Sequence, residues 1–276
     1  SSAAIRIAQS SETSINLCLN ACFIRAGGYM SLLFEELDYR DTPIGEISLR
    51  RRRELRLDVD VLEIKLGDEF LMSSLFTDSE VALSHLGLDA HTGKQLDVLV
   101  GGLGLGYTAQ AALQHAKLKS LLVVELLDAV IDWHREGLLS LGPELLADAR
   151  CRFEAGDFFA SAASAEGFDS KQPGRHFDVI LLDIDHSPQA LLDDRSRGFY
   201  QPEGLHNLLA HLRPGGVFAL WSNEPPDPAF TQRLGSVFAT AWAEPITFDN
   251  PLQGRPFTQS VYLALASESA EALYRA

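Results

Sequence analysis

The chain of 276 residues predicts an α/β fold: a mostly parallel seven-stranded sheet with an antiparallel C-terminal hairpin, preceded by a small N-terminal β unit. Three observations carry that expectation. From Leu96 onward, apolar runs alternate with helical repeats, as strands buried on both faces and their crossover helices do. The first run, 96–100, stops at a cluster of four glycines, Gly101, Gly102, Gly104 and Gly106. The last two extended segments, 242–248 and 260–266, follow one another with no helix between, so they should pair antiparallel.

Residues 1–29 read as an extension ahead of Met30, a natural start, and little order is expected there. Residues 30–90 are expected to hold the β unit and a linking helix, and 91–276 a nucleoside-binding domain. Asp41-Thr-Pro-Ile-Gly45 is a turn, and 46–49 and 55–66 alternate Leu, Val and Ile with polar residues, as half-buried strands do. A helix follows over 77–86, with Thr77 or Asp78 as its cap and Glu80 in its first turn.

In the larger domain the strands are 96–100, 121–125, 150–155, 177–183 and 217–221. The helix over 108–116 has Ala109, Ala112, Leu113 and Ala116 on one face. Asp128 caps a helix holding Val130, Ile131 and Leu138, ended by Gly142-Pro143. Leu205, Leu208, Leu209 and Leu212 mark another helix, closed by Arg213-Pro-Gly-Gly216, and Phe230, Leu234, Val237 and Phe238 mark the last.

Hydrophobic residues make up 46% and charged residues 22%, ordinary globular usage that permits a sizeable core. A formal charge of −15 argues against generic nucleic-acid binding, which needs Lys and Arg to displace counterions. The run Arg50-Arg-Arg-Arg53 is read as a solvated strand edge or turn, or else as a polyanion site. No stretch reaches the ~20 apolar residues that span a bilayer, so no membrane partner is expected. Cys18, Cys22 and Cys151 are odd in number and match no zinc spacing, which suits reduced thiols in a cytoplasmic protein without a metal.

In an open α/β sheet the ligand lies beyond the carboxyl ends of the strands. Those ends carry the glycine cluster, Glu125, Asp157, then Asp183 with Asp185 and His186, and finally Trp221-Ser-Asn-Glu224. Four carboxylate-bearing ends on one rim repel each other unless a cationic or hydroxyl-rich ligand compensates. Glu125 is read as an acceptor for both ribose hydroxyls, or else as a helix-capping acid. Asp157 would take an adenine amino proton with Phe158 stacking on the ring, or else form a plain turn. Tyr107 stands where a dinucleotide fingerprint wants its third glycine, which favours a smaller nucleoside over NAD. Asp183, at the end of the most buried strand, is a candidate general base, or else a structural acid. His186 is read as a proton shuttle or as a loop residue.

These residues resemble the spermidine synthase family of aminopropyltransferases, within the Rossmann-like fold of S-adenosylmethionine-dependent methyltransferases. The resemblance spans about 33–266 and rests on the glycine loop, Val123-Val-Glu-Leu-Leu-Asp-Ala-Val130, Gly156-Asp157, Phe177-Asp-Val-Ile-Leu-Leu-Asp-Ile-Asp185, Phe199-Tyr200 and Leu212-Arg-Pro-Gly-Gly216. It implies decarboxylated S-adenosylmethionine as co-substrate, or intact S-adenosylmethionine in a methyltransferase, held by the glycine loop, Glu125 and Asp157. It implies Asp183 as the catalytic aspartate, a small-molecule amine as partner with Glu80, Tyr200 and Glu224 as its contacts, and no metal. A homodimer is left open, as is a catalytically inactive nucleoside-binding homologue. Three departures stand out. The family's loop aspartate is replaced by Leu103-Gly-Leu105, Thr77-Asp-Ser-Glu80 has no tyrosine, and His186 stands where the family has a second aspartate.

Overall fold

The computed structural model describes residues 23–26 and 29–269. The expected extension over 1–29, with Cys18 and Cys22, lies mostly outside them. Within it, β1 (Phe23–Ala26) pairs antiparallel with β2 (Tyr29–Leu32).

A four-stranded antiparallel sheet follows: β3 (Phe34–Thr42), β4 (Gly45–Glu54), β5 (Val59–Leu66) and β6 (Glu69–Ser73), in that order. The turn at 41–45 narrows to Pro43-Ile44 between β3 and β4. The strand expected to begin at Leu55 begins at Val59, because 55–58 turn outward and leave Leu55 66% exposed. The arginine run is neither an edge nor a turn. It lies on β4, an interior strand, where Arg51 pairs with Glu35, Arg52 with Glu63 and Glu54, and Arg53 with Asp58 and Asp60. Glu35 and Asp60 stand directly across from Arg51 and Arg53, and Glu63 reaches Arg52 on the diagonal.

Helix α1 (Asp78–Ala90) joins this unit to the main sheet, and it runs a turn longer than expected because Leu83, Gly87 and Leu88 stay buried along one face. The main sheet contains β7 (Leu96–Gly101), β8 (Leu118–Glu125), β9 (Cys151–Ala155), β10 (Phe177–Leu182), β11 (Leu212–Ser222), β12 (Thr240–Asn250) and β13 (Arg255–Leu265). Their spatial order is β12-β13-β11-β10-β7-β8-β9. The five strands from β11 to β9 are parallel, and β13 and β12 close the sheet antiparallel. The α/β architecture and the C-terminal hairpin are therefore those expected.

The crossovers are α2 (Tyr107–Gln114), α3 (Asp128–Arg135), α4 (Gly142–Ala147), α5 (Phe158–Ala162), α6 (Pro202–Leu209) and α7 (Pro228–Gly235). Three details differ from expectation. Gly142-Pro143 opens α4 instead of ending α3, since proline suits a first helical turn. Leu127, not Asp128, occupies the N-cap of α3, and Asp128 is its first-turn acid. Arg213-Pro-Gly-Gly216 is drawn into the start of β11, where the pairing register with β10 shifts.

The core has one layer on each side of this sheet. Val98, Val100, Val123, Leu181, Trp133 and Leu83 occupy the face under α1–α3. Phe158, Phe168, Phe177, Phe199, Tyr200 and Phe218 occupy the other. Among the described residues, no helix is long and apolar enough to cross a membrane.

Candidate active site

The strand order reverses between β7 and β10, whose crossovers leave to opposite sides, so a crevice opens at their carboxyl ends. A cavity of about 1020 Å³ occupies it and extends beneath the small β unit. Its floor depends on glycine: a Cβ on Gly102 would collide with the carbonyl oxygen of Asp183, and Gly102 holds φ at +95°.

Glu125 ends β8, 9% exposed. Its Oε2 accepts the amide N–H of Leu103 at 2.9 Å and its Oε1 that of Leu127 at 2.9 Å. One carboxylate thus ties the glycine loop to the start of α3. Burial raises its pKa, against the opposing pull of the backbone N–H groups of Leu103, Leu127, Gly104 and Leu126. Asp157 caps α5 through Oδ1, which accepts from Phe159 at 2.9 Å and Ala160 at 3.1 Å. Among the described residues, no hydrogen bond reaches its other oxygen.

Asp183 follows β10 at the centre of the cavity. Its amide N–H donates to the carbonyl of Gly101 at 2.8 Å, and its Oδ2 accepts the Thr108 hydroxyl at 2.6 Å. Burial lifts its pKa to about 6, with the Thr108 bond pulling the other way. Glu80 reaches the same cavity from α1, 7% exposed. Burial, then repulsion from Asp183, lifts its pKa to about 8. Its Oε2 lies 2.8 Å from the Ser79 hydroxyl. That hydroxyl also accepts Trp221 Nε1–H at 2.8 Å and lies 2.6 Å from Gln259 Oε1, and Gln259 Nε2 donates to Asn223 at 2.8 Å. Helix α1 is thereby laced to β11 and β13 at this point.

The structure brings Gly102, Gly104, Glu125, Asp157, Phe158, Asp183, Asp185, His186 and Glu80 to one cavity. It does not bring Tyr200 or Glu224 there. Tyr200 is 1% exposed and its hydroxyl donates to Asp185 Oδ2 at 2.7 Å, a core contact. Glu224 is exposed beyond the cavity wall. Gly101 and Gly106 shape the loop from behind; a Cβ on Gly101 would meet the Phe158 ring.

Phe158 lies 2% exposed under Gly101 and packs on Phe168 at 4.9 Å between ring centroids, so its face is covered and stacking on a purine is ruled out for it. Asp185 is 2% exposed and holds Leu192 N–H at 2.7 Å as well as Tyr200 and Ser196. That pattern braces the loop after β10 and leaves no room for acid–base work on a ligand. His186 Nε2 contacts Glu69 Oε1 of β6 at 3.1 Å, which pins the β unit to the same loop.

Several residues of the site escaped sequence reasoning. Thr108 stands in the first turn after the glycine loop, a position that could have flagged it. Ser79, Gln259 and Met72 carry no local signal. Met72 Sδ accepts the Leu105 N–H at 3.1 Å and covers Gly104.

Comparison with known proteins follows the same lines. The spermine/spermidine synthase domain family matches residues 77–228. Polyamine aminopropyltransferase 2 of Pseudomonas aeruginosa is 32% identical over 154 residues, covering 52% of this chain and 40% of that protein. A polyamine aminopropyltransferase of Prochlorococcus marinus is 33% identical over 128 residues, covering 46% of this chain and 41% of its own length. The matches thus span about 40% of the length of these curated relatives. The fold is shared with a spermidine synthase from Thermotoga maritima, at a TM-score of 0.62 and 17% identity over 85% of this chain and 73% of that one. It is shared equally with a spermidine synthase in complex with the transition-state analogue AdoDATO, at a TM-score of 0.63 and 19% identity over 85% and 74%.

Proposed function

The chain belongs to the spermine/spermidine synthase family, and on that premise we propose that it transfers an aminopropyl group from decarboxylated S-adenosylmethionine to a small-molecule amine. One observation carries the reading. Glu125, the glycine loop and Asp183 converge on a single cavity at the point where the sheet reverses its strand order.

The donor's ribose would lie against Glu125, which the backbone N–H groups of Leu103 and Leu127 hold in place at the end of β8. Its adenine would approach the unengaged oxygen of Asp157 beside Leu126, which is 43% exposed on the cavity wall. The acceptor arrives as an ammonium and must lose a proton before its nitrogen has a lone pair. Asp183, with a pKa near 6, takes that proton. The nitrogen then attacks the propyl carbon next to sulfur, the C–S bond breaks, and methylthioadenosine leaves with the bonding electrons. Alignment of nitrogen and carbon supplies most of the acceleration, up to ~7–11 kcal/mol at the ideal limit.

The decarboxylated donor suits this cavity better than intact S-adenosylmethionine. The arginines on its wall already have acidic partners: Arg52 with Glu63 and Glu54, and Arg195 with Asp193. A donor carboxylate would have to compete for one of them, whereas the decarboxylated donor brings no carboxylate to place. A reducing, cytoplasmic setting is part of the same proposal and suits the free thiol of Cys151.

The test is turnover. Incubation with decarboxylated S-adenosylmethionine and a panel of amines should release methylthioadenosine, and intact S-adenosylmethionine should release none. Transfer of a methyl group from the intact compound, with no aminopropyl product from the other, would replace this reading with a methyltransferase.

A further inference from the structure

Beyond Glu80 and Asp183 the cavity changes character. Phe76, Phe248 and Phe257 line it together. Phe248 and Phe257 face each other in register across β12 and β13, with ring centroids 6.0 Å apart. Phe76, just ahead of α1, stacks on Phe248 at 5.6 Å and 29°. All three are half-buried, which leaves apolar ring surface turned to the cavity.

Their distance from the reacting end follows from the strand. Phe257 and Gln259 are two residues apart on β13 and so share a face. Gln259 is bonded through Ser79 to the node that holds Glu80. Within the cavity, the aromatic group therefore lies two residues along β13 from Gln259, whose partner Ser79 meets Glu80. The tip of the β12–β13 hairpin is tied to that unit by Arg56, which donates to the carbonyl of Leu252 at 3.1 Å.

A diamine acceptor would need a second anion at this far end, and among the described residues the acid that lines it on the β unit is already ion-paired. Glu63 on β5 lines the cavity, but Arg52 Nε holds its Oε1 at 2.6 Å. The Arg52 guanidinium itself faces the same space and would repel a second ammonium. The rings are weaker substitutes, because they carry no formal charge and a cation–ring contact is worth less than a carboxylate partner. An apolar body, by contrast, would displace water from all three rings.

We propose that the acceptor is a monoamine with an apolar body, its nitrogen set at Asp183 and Glu80 and its body lying on Phe76, Phe248 and Phe257. This rests on the aminopropyl-transfer reading and narrows its substrate class.

Two measurements keep the two claims apart. The first is calorimetric binding of hexylamine, 2-phenylethylamine and 1,4-diaminobutane to the protein saturated with methylthioadenosine. The second is kcat/KM for the same amines with decarboxylated S-adenosylmethionine. The two monoamines should bind about tenfold or more tighter than the diamine and be used with the same preference. Phe248→Ala should cut that preference about tenfold, and Phe248→Leu, which keeps the strand packed, should cut it less. Binding of the monoamines without any turnover would keep the subsite and overturn aminopropyl transfer. Tighter binding or faster use of the diamine, or a preference unmoved by Phe248→Ala, would overturn the subsite.

Discussion

The two ends of the central sheet carry the same carboxylates in opposite electrical settings. At the amino ends of the strands, Asp97 is 6% exposed and faces Arg213 at 2.9 Å, Arg175 at 3.4 Å and Lys119 at 3.4 Å, with the Ser120 hydroxyl at 2.6 Å. Asp178 receives Arg213 at 2.6 Å, and Asp169 receives Arg175 at 2.9 Å as well as Arg152. Burial pushes the Asp97 and Asp169 carboxyls up, but the hydrogen bonds and positive charges outweigh it and leave both lowered. At the carboxyl ends, Glu80, Glu125 and Asp185 are buried and Asp183 is half-buried, with backbone N–H groups and hydroxyls but, among the described residues, no arginine or lysine bonded to them, and all four are raised. One end is a brace that is complete in the folded chain. The other is held in an unfavourable state that a cationic, hydroxyl-bearing ligand would relieve.

The sharpest way to break this comparison is Asp183→Asn. The amide keeps the shape and still meets Thr108, but it cannot accept the acceptor's proton. Turnover should fall by about 10²–10⁴, the range of a positioned general base, while calorimetry finds methylthioadenosine affinity within a few-fold of wild type. Turnover at the wild-type rate would strip Asp183 of its role and make the carboxyl rim a packing feature.

The opposite result is expected at the other end. Asp97→Ala should leave three cations around an empty position and destabilise the fold by about 2–3 kcal/mol, less than the ~3–5 kcal/mol of a fully buried pair because the Arg213 end is partly solvated. The sign with pH follows from the lowered pKa. Asp97 contributes stability above the ordinary carboxylate range and loses it as pH falls through its lowered value. Denaturant midpoints for wild type and variant should therefore differ most near neutrality and converge in acid. A gap that stayed constant down to acid pH would mean that the aspartate matters by shape and not by charge.

How far each end could be read from the sequence differs for a physical reason. The carboxyl rim was legible because a parallel sheet puts strand ends side by side, so Gly102, Glu125 and Asp183 meet whatever the details of the loops. The strands themselves were legible because burial on both faces makes a continuous apolar run. The brace was not, since Asp97, Asp178 and Arg213 sit at strand starts where nothing marks a charge as paired. The arginine run on β4 misled for the same reason: its partners, Glu35, Glu63 and Asp60, lie on neighbouring strands. Tyr200 was expected in the cavity from the family resemblance alone, yet its hydroxyl is needed by buried Asp185. The aromatic group and the Ser79–Gln259 contact depend on β13 folding back beside α1, about 180 residues away in sequence, and no local pattern records that closure.

The smallest effect is the most diagnostic of the unrelieved rim. Glu80 has a pKa raised to about 8 by burial and by Asp183, so the folded chain holds its proton more tightly than the unfolded chain does. Such a group contributes stability below the unfolded carboxyl range, near 4, and loses it as pH rises through about 8. Glu80→Gln mimics the protonated acid, and its amide still meets the Ser79 hydroxyl. The variant should match wild type near pH 5 and be more stable by about 1 kcal/mol near pH 9, where the wild-type carboxylate is charged and buried without a cation. Saturating amine should erase that advantage, since an ammonium at Glu80 supplies the missing charge. A variant less stable than wild type at pH 9 would mean that Glu80 already has a cationic partner within the chain, and the two ends of the sheet would then be alike.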